Sequence, residues 1–253
     1  MRSKFTLSML ALCFTGLLQA NEAIPEKSWF NSIEHVRVDS SSSDNMTMVS
    51  SHYYFAPQGS SGVLDDFGYL DTDTNLQVAY ADLPGSNVFS LGGEYFFENE
   101  VFLVGGVARS EGDNDHVFGV GYVFNGNVKT SITRNDNDTF VSAQYLYALN
   151  STDYLGFSAH TDVDFDEYTL ASRYLGKRNN GDYVSVDVSY SDSFGSSVTS
   201  ILGKYYFAQR FALGLGAVDS EITVTGNYFI SDEYYLRANY LDSVYSVGFV
   251  AQF

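Results

Sequence analysis

The last ten residues, Val244-Tyr-Ser-Val-Gly-Phe-Val-Ala-Gln-Phe253, alternate strictly and stop on an aromatic ring. Tyr245, Val247, Phe249, Ala251 and Phe253 share one face, and Ser246, Gly248, Val250 and Gln252 share the other. A period of two is the period of a β-strand, so this stretch has an apolar face and a small or polar one. Its backbone needs a partner along both edges, and the rest of the chain repeats the pattern. From residue 31 the sequence divides into alternating segments separated by short, turn-rich links. They are 31–40, 46–56, 74–82, 87–97, 101–110, 115–124, 128–134, 139–148, 153–161, 166–175, 183–191, 196–207, 211–218, 221–229, 234–241 and 244–253. Short links join antiparallel neighbours, and an even number of strands leaves both chain ends on one side of the sheet.

The two faces differ in a way that identifies their solvents. One reads Leu76-x-Val78, Phe118-x-Val120, Val184-x-Val186-x-Val188 and Phe211-x-Leu213-x-Leu215. The intervening positions are Asn75, Gln77 and Ala79, then Gly119 and Gly121, Ser185, Asp187 and Ser189, Gly214 and Gly216, Thr223, Thr225 and Asn227. A soluble β-sandwich would carry lysine and glutamate on its wet face. Here the apolar face has almost no charge and the other is small or neutral polar, which fits lipid outside and water inside. Inward-running segments finish in aromatics on the apolar face: Tyr53 and Phe55, Tyr95 and Phe97, Tyr122 and Phe124, Tyr145 and Tyr147, Tyr174, Tyr205 and Phe207, Tyr228, and Phe253. Tyr80, Tyr190 and Tyr240 fall near the opposite ends, so two aromatic belts are expected, one at each membrane interface. The expected fold is all-β, a transmembrane antiparallel up-and-down barrel of about 16 strands with short turns and loops. The 20 tyrosines, 20 phenylalanines, 22 glycines and 3 prolines agree with twisted, proline-poor strands.

Arg2 and Lys4 precede an apolar run from Phe5 to Leu18 that ends at Leu18-Gln19-Ala20. This is the pattern of a secretory signal peptide over 1–20, too short to span as a helix. Residues 21–30, polar and aperiodic apart from Trp29, read as a periplasmic lead-in, and 31–253 as the barrel domain. Cys13 lies in the signal, so no disulfide framework is expected in the mature chain. Loss of the signal leaves 11 basic residues against 31 acidic ones, a net charge of −20, which excludes nucleic acid as a natural partner.

With the polar face turned inward, Lys129, Arg173, Lys204 and Arg237 are expected to line the lumen near the periplasmic strand ends. Glu94 lies at similar depth and Asp187 near mid-membrane, so the inner half of the lumen is expected to be net positive. The outer links are acidic, at Asp113, Asp115, Asp136, Asp138, Asp162 and Asp164 among others. Such loops can gather cations, hold divalent ions against lipopolysaccharide, or keep the surface soluble. One connection stands apart in length: residues 57–73, on the periplasmic side, where Leu64, Phe67, Tyr69 and Leu70 could form the apolar face of a short helical turn against the barrel mouth, or belong to a flexible loop. No histidines stand at metal-ligand spacing, no cofactor motif is present, and no catalytic residue is assigned. His160, followed by Thr161 and Asp162, reads as a polar lumen residue rather than a base.

The closing strand with its free terminal aromatic resembles that of bacterial outer-membrane barrels, which implies recognition of Phe253 by the barrel-assembly machinery. Tyr53-Tyr54-Phe55, then Gly62-Val-Leu64-Asp-Asp-Phe-Gly-Tyr-Leu70, then a Thr/Asn-led strand, resembles the general porin family of Gram-negative, marine gammaproteobacterial outer membranes. Val63 stands where that family usually has proline. The resemblance implies a cell outer-membrane channel for passive diffusion of small hydrophilic solutes and ions. Its partners would be membrane lipid and lipopolysaccharide, and such porins are often homotrimers. The alternatives are a non-conducting structural or surface-interaction barrel, its lumen closed by 57–73 or by the N-terminal lead-in, and an outer-membrane hydrolase.

Overall fold

The computed structural model describes residues 25–39, 44–207 and 210–253. The expected signal peptide at 1–20, lead-in residues 21–24, link residues 40–43 and turn residues 208 and 209 lie outside them. The strands in chain order are β1 (Lys27–Val38), β2 (Asp44–Gln58), β3 (Asn75–Leu83), β4 (Ser86–Phe96), β5 (Val101–Ser110), β6 (Asp113–Phe124), β7 (Val128–Arg134), β8 (Thr139–Ala148), β9 (Tyr154–Asp162), β10 (Glu167–Lys177), β11 (Tyr183–Ser193), β12 (Ser196–Phe207), β13 (Phe211–Val218), β14 (Glu221–Phe229), β15 (Tyr234–Leu241) and β16 (Val244–Gln252). Each pairs antiparallel with its neighbours in sequence, and β1 closes on β16, giving one barrel of 16 strands with no free edge.

The closure rests on a well-formed joint. Ile33 stands opposite Phe249 and Phe30 opposite Gln252. Beyond the ladder, Ser28 N and Trp29 N both donate to Phe253 O, at 2.5 and 2.9 Å, and the Trp29 and Phe253 rings lie 6.1 Å apart. These contacts explain why β1 begins at Lys27 and takes in residues 27–30, which the sequence pattern assigns to the lead-in. At the opposite end the links are tight. Asp219 and Ser220, like Asp242 and Ser243, all have positive φ, the conformation of two-residue turns whose twist matches that of the strands.

Register fixes the faces. Leu76, Phe118, Ile201, Leu215 and Val247 are exposed on the outside, as a hydrocarbon solvent requires. The strand ends beside the termini carry the expected girdle, with Tyr95 packed on Phe97 (4.9 Å), Tyr122 on Phe124 (4.6 Å) and Tyr205 on Phe207 (4.6 Å). In a bacterial single-chain barrel this is the periplasmic end. The outer face of β1 and β2 departs from the pattern, carrying Asn31, His35 and Arg37 beside Ser51, Thr47 and Asn45.

Candidate functional site: the periplasmic end of the lumen

The connection between β2 and β3, residues 59–74, enters the barrel and forms a buried cluster with its inner wall. No helical turn forms in it. Its shape comes instead from side chains that bond their own backbone. Ser60 Oγ accepts from Gly62 N (3.0 Å) and donates to Val63 O (3.2 Å), and Asp66 Oδ1 accepts from Gly68 N (2.8 Å). Gly62 and Gly68 both have positive φ, which a helix excludes. A Cβ at Gly62 would stand 2.7 Å from the Tyr183 ring, so glycine there also permits close approach.

Apolar contacts seat the segment. Val63 and Leu64 are buried in a cluster with Tyr154, Leu175, Tyr183, Tyr206, Phe229, Tyr235 and Val250. Burying Leu64 alone contributes about 2 kcal/mol. Phe67 packs edge-on against Phe30 at 5.0 Å, and the Tyr69 ring lies over Gly156, where any Cβ would collide with it. Leu70 is half-buried. Gln252 reaches in from the closing strand, its Nε2 donating to Leu64 O at 3.0 Å.

Two adjacent carboxylates bind the segment across the lumen. Asp65 Oδ2 accepts from Asn227 Nδ2 (2.6 Å) and lies 3.3 Å from Lys204 Nζ. Asp66 Oδ2 accepts from Tyr154 Oη (2.5 Å) and from Arg173 Nη1 (3.2 Å). Arg173 Nε also donates to Asp187 Oδ1 at 2.5 Å. Burial is the largest influence on Asp66 and pushes its carboxyl up to about 6, against the opposing pull of Arg173 and Tyr154.

The other two cations are satisfied from the wall itself. Arg237 is ion-paired with Glu34 across the β1–β16–β15 ladder. Lys129 Nζ lies 2.6 Å from Glu94 Oε2 and 4.9 Å from the centre of the Phe102 ring. Lys129, Lys204 and Glu94 stand toward the periplasmic strand ends, while Arg173, opposite Asp187, and Arg237 lie nearer the middle of their strands. The expectation that this region is net positive is overturned. Lys129, Arg173, Lys204 and Arg237 meet five carboxylates, because Asp65, Asp66 and Glu34 join the two expected ones. Sequence reasoning missed those three. A pair of acids between Val63-Leu64 and Phe67 is the signal for the first two, since buried carboxylates demand cations. Glu34 was hidden by the irregular alternation of β1.

Toward the outer mouth the lumen wall changes character. Its inward-facing groups bond one another in a neutral network: Ser189 with Ser200 (2.7 Å), Thr169 with Ser191 (2.9 Å), Asn239 with Ser246 (2.9 Å) and Ser142 with His160 Nδ1 (2.7 Å). Between the ion pairs and the outer rim, the described inward-facing strand residues include no lysine or arginine. His160 stacks on Phe140 at 5.1 Å.

A closed barrel with an apolar exterior, two aromatic girdles and a polar lumen defines a transmembrane pore protein. The family described as "Putative general bacterial porin" matches residues 10–241, and the chain belongs to it. It is thus an outer-membrane porin, located in the cell outer membrane and forming a water-filled channel. Among solved structures it is similar to the outer membrane protein Omp33 of Acinetobacter baumannii, at 16% identity and a TM-score of 0.61, over 92% of this chain and 99% of that one. It is also similar to a triple mutant of the Rhodopseudomonas blastica porin, at 11% identity and a TM-score of 0.52, over 89% and 99%. A comparison with curated protein sequences finds no match.

Proposed function

We propose that small hydrophilic solutes and ions diffuse passively through this channel and that residues 59–74 set its narrowest level, at the periplasmic end. The docking of Asp65 and Asp66 onto Lys204, Asn227, Arg173 and Tyr154 supports this reading. Lys129, Arg173, Lys204, Arg237, Glu94 and Asp187 are assigned to the wall of that narrow level. Their mutual neutralisation leaves little fixed charge facing the solute, so strong anion preference is not expected. The hydroxyl-rich outer half, with Asp115, Asp162 and Glu167 at its rim, then acts as a wide vestibule.

The chain is read as a channel and not as a hydrolase, and its Ser142–His160 pair as part of the neutral wall network. Recognition of Phe253 by the barrel-assembly machinery rests on the exposed terminal ring beside Trp29. For self-association, the polar strip on the outer face of β1 and β2 favours contact between copies there. Single-channel recording in a planar bilayer tests the main reading. Replacing 60–72 by a short glycine-serine link is expected to raise the conductance several-fold. A deletion variant that folds in lipid and conducts like the parent would remove the segment from the constriction, and silence of both proteins would remove the open-pore reading.

A further inference from the structure

A tight hairpin needs residues that accept a positive φ, and most turns of this barrel supply them. Glu100, Glu111, Asn125, Asp219, Ser220, Asp242 and Ser243 take that conformation, and all are polar. Two aromatic residues take it as well. Phe165, in the outer link between β9 and β10, has a φ of 61°, and Phe194, in the next outer link, between β11 and β12, has a φ of 51°. A bulky side chain in the left-handed region costs backbone strain. Asparagine would suit the turn at Phe194 better, since Gly195 follows it with a φ of 80°.

Both rings are also exposed. Phe165 is 72% exposed, the highest value among the large apolar side chains of the described residues, and Phe194 is 56% exposed, with Val163 exposed nearby in the chain. They are not girdle residues. Tyr168 and Tyr190, 5.8 Å apart, hold that place on β10 and β11, and the phenylalanines lie past them in the links. Backbone hydrogen bonds shape the surface: Glu167 N donates to Asp162 Oδ1 (2.9 Å), Phe165 N to Asp162 O (3.3 Å) and Phe194 N to Asp166 O (2.9 Å), the last tying the two tips together. Strain and apolar exposure at the same two positions break the rules that the other turns obey, which marks a surface shaped for a partner outside the chain.

We propose that the outer tips of β9–β10 and β11–β12, through Val163, Phe165 and Phe194 with Asp164, Asp166 and Asp192, dock a cationic amphipathic peptide segment. Charge carries the choice of occupant. Asp164 and Asp166 are exposed on either side of Phe165, and Asp192 precedes Phe194 by two residues. The lysines and arginines of β9–β12 and the links between them are Arg173, Lys177, Arg178 and Lys204, none of them in an outer link. An anionic lipid headgroup would therefore meet like charge, and so would the same patch of a second copy. A basic segment meets opposite charge on the aspartates and ring faces that attract its cations, while its own apolar side chains cover the phenylalanines. The patch lies at the opposite end of the barrel from residues 59–74, so it stands whether or not they set the constriction.

The test uses the full mature chain in phosphatidylcholine nanodiscs and a fluorescently labelled synthetic amphipathic helix of leucine and lysine, with anisotropy as the readout and empty nanodiscs as the baseline. Binding above that baseline is expected. Phe165→Asn with Phe194→Asn should weaken it by about tenfold or more, as the loss of aromatic anchors does. The urea midpoint of the same variant should hold or rise, because asparagine tolerates a positive φ. Asp164→Asn with Asp166→Asn should weaken binding less and remove most of its salt dependence. A helix with glutamate in place of lysine should stay at the baseline. Absence of binding by the parent, equal binding by the Phe165→Asn, Phe194→Asn variant, or a marked fall in its urea midpoint would overturn the proposal. Self-association of the parent that this variant loses would overturn it too, by making the occupant a second copy.

Discussion

The two ends of the lumen are built from the same alternating strands yet behave as different kinds of interior. At the periplasmic end, Leu64, Tyr154, Leu175, Tyr206, Phe229 and Tyr235 pack as a protein core, and Lys129, Arg173, Lys204 and Arg237 each meet a carboxylate. Toward the outer mouth the wall is largely serine, threonine, glycine and alanine, with hydroxyls bonded to one another and acids such as Asp162 and Glu167 at its rim. A barrel of 16 strands is too wide for its own side chains to fill, so the filled end needs material from elsewhere. Residues 59–74 supply it. A lumen's character is therefore set as much by what a connection inserts as by what the strands present.

Removing the inserted segment should have the largest effect on that contrast. With 60–72 replaced by a short link, the periplasmic end should conduct like the outer half, and single-channel conductance would read the change. Next come the buried ion pairs. Arg173→Ala leaves Asp66 and Asp187 without their partner and is expected to cost about 3–5 kcal/mol. Ser189→Ala, in the open half, should stay within about 0.5 kcal/mol. Urea unfolding in lipid vesicles compares the two, and equal costs would erase the distinction between a packed and an open end.

Steric room offers a finer measure. Ser185 is buried and hydrogen-bonded to Tyr206, so an arginine there overpacks the filled end and should cost about 1–3 kcal/mol. The same change at Ser189 has water to enter and should cost much less. Val186→Arg, on the lipid face between them, should cost about 2–4 kcal/mol and calibrates the scale. Glutamate at Arg173, Lys204 and Arg237 together should move the reversal potential under a salt gradient toward cations. An unchanged potential would mean that solutes do not pass these side chains.

The smallest effect concerns pH. Asp66 titrates near 6 when the segment is docked and near 3.8 when it is exposed, so between those values the docked form holds more protons. Docking is therefore favoured as pH falls from 7 toward 4 and weakened as pH rises through 6. Conductance should be lower at pH 5 than at pH 7.5, and Asp66→Asn should flatten that difference. A steeper dependence in the variant would contradict the sign.

Much of this was legible in residue order. Period-two alternation and turn-rich links determine strand number, faces and girdles, because a pleated strand exposes alternate side chains whatever surrounds it. The weakest strand shows the limit. Asn31, His35 and Arg37 put polar groups on the membrane face of β1, so periodicity there could not tell lipid from lumen, and Glu34 went unrecognised as the partner of Arg237.

The segment 59–74 marks the division most sharply. Its length set it apart but left a helical turn and a flexible loop equally open, and counting raised the expectation that Lys129, Arg173, Lys204 and Arg237 stand near the periplasmic strand ends. What local pattern could not contain was the meeting of Asp66 with Arg173, 107 residues away, or of Asp65 with Lys204, 139 residues away. Those pairs exist only once the sheet closes and brings β10 and β12 across from the end of β2. Local propensity fixes the faces of a strand, but only closure decides which charges share the space inside.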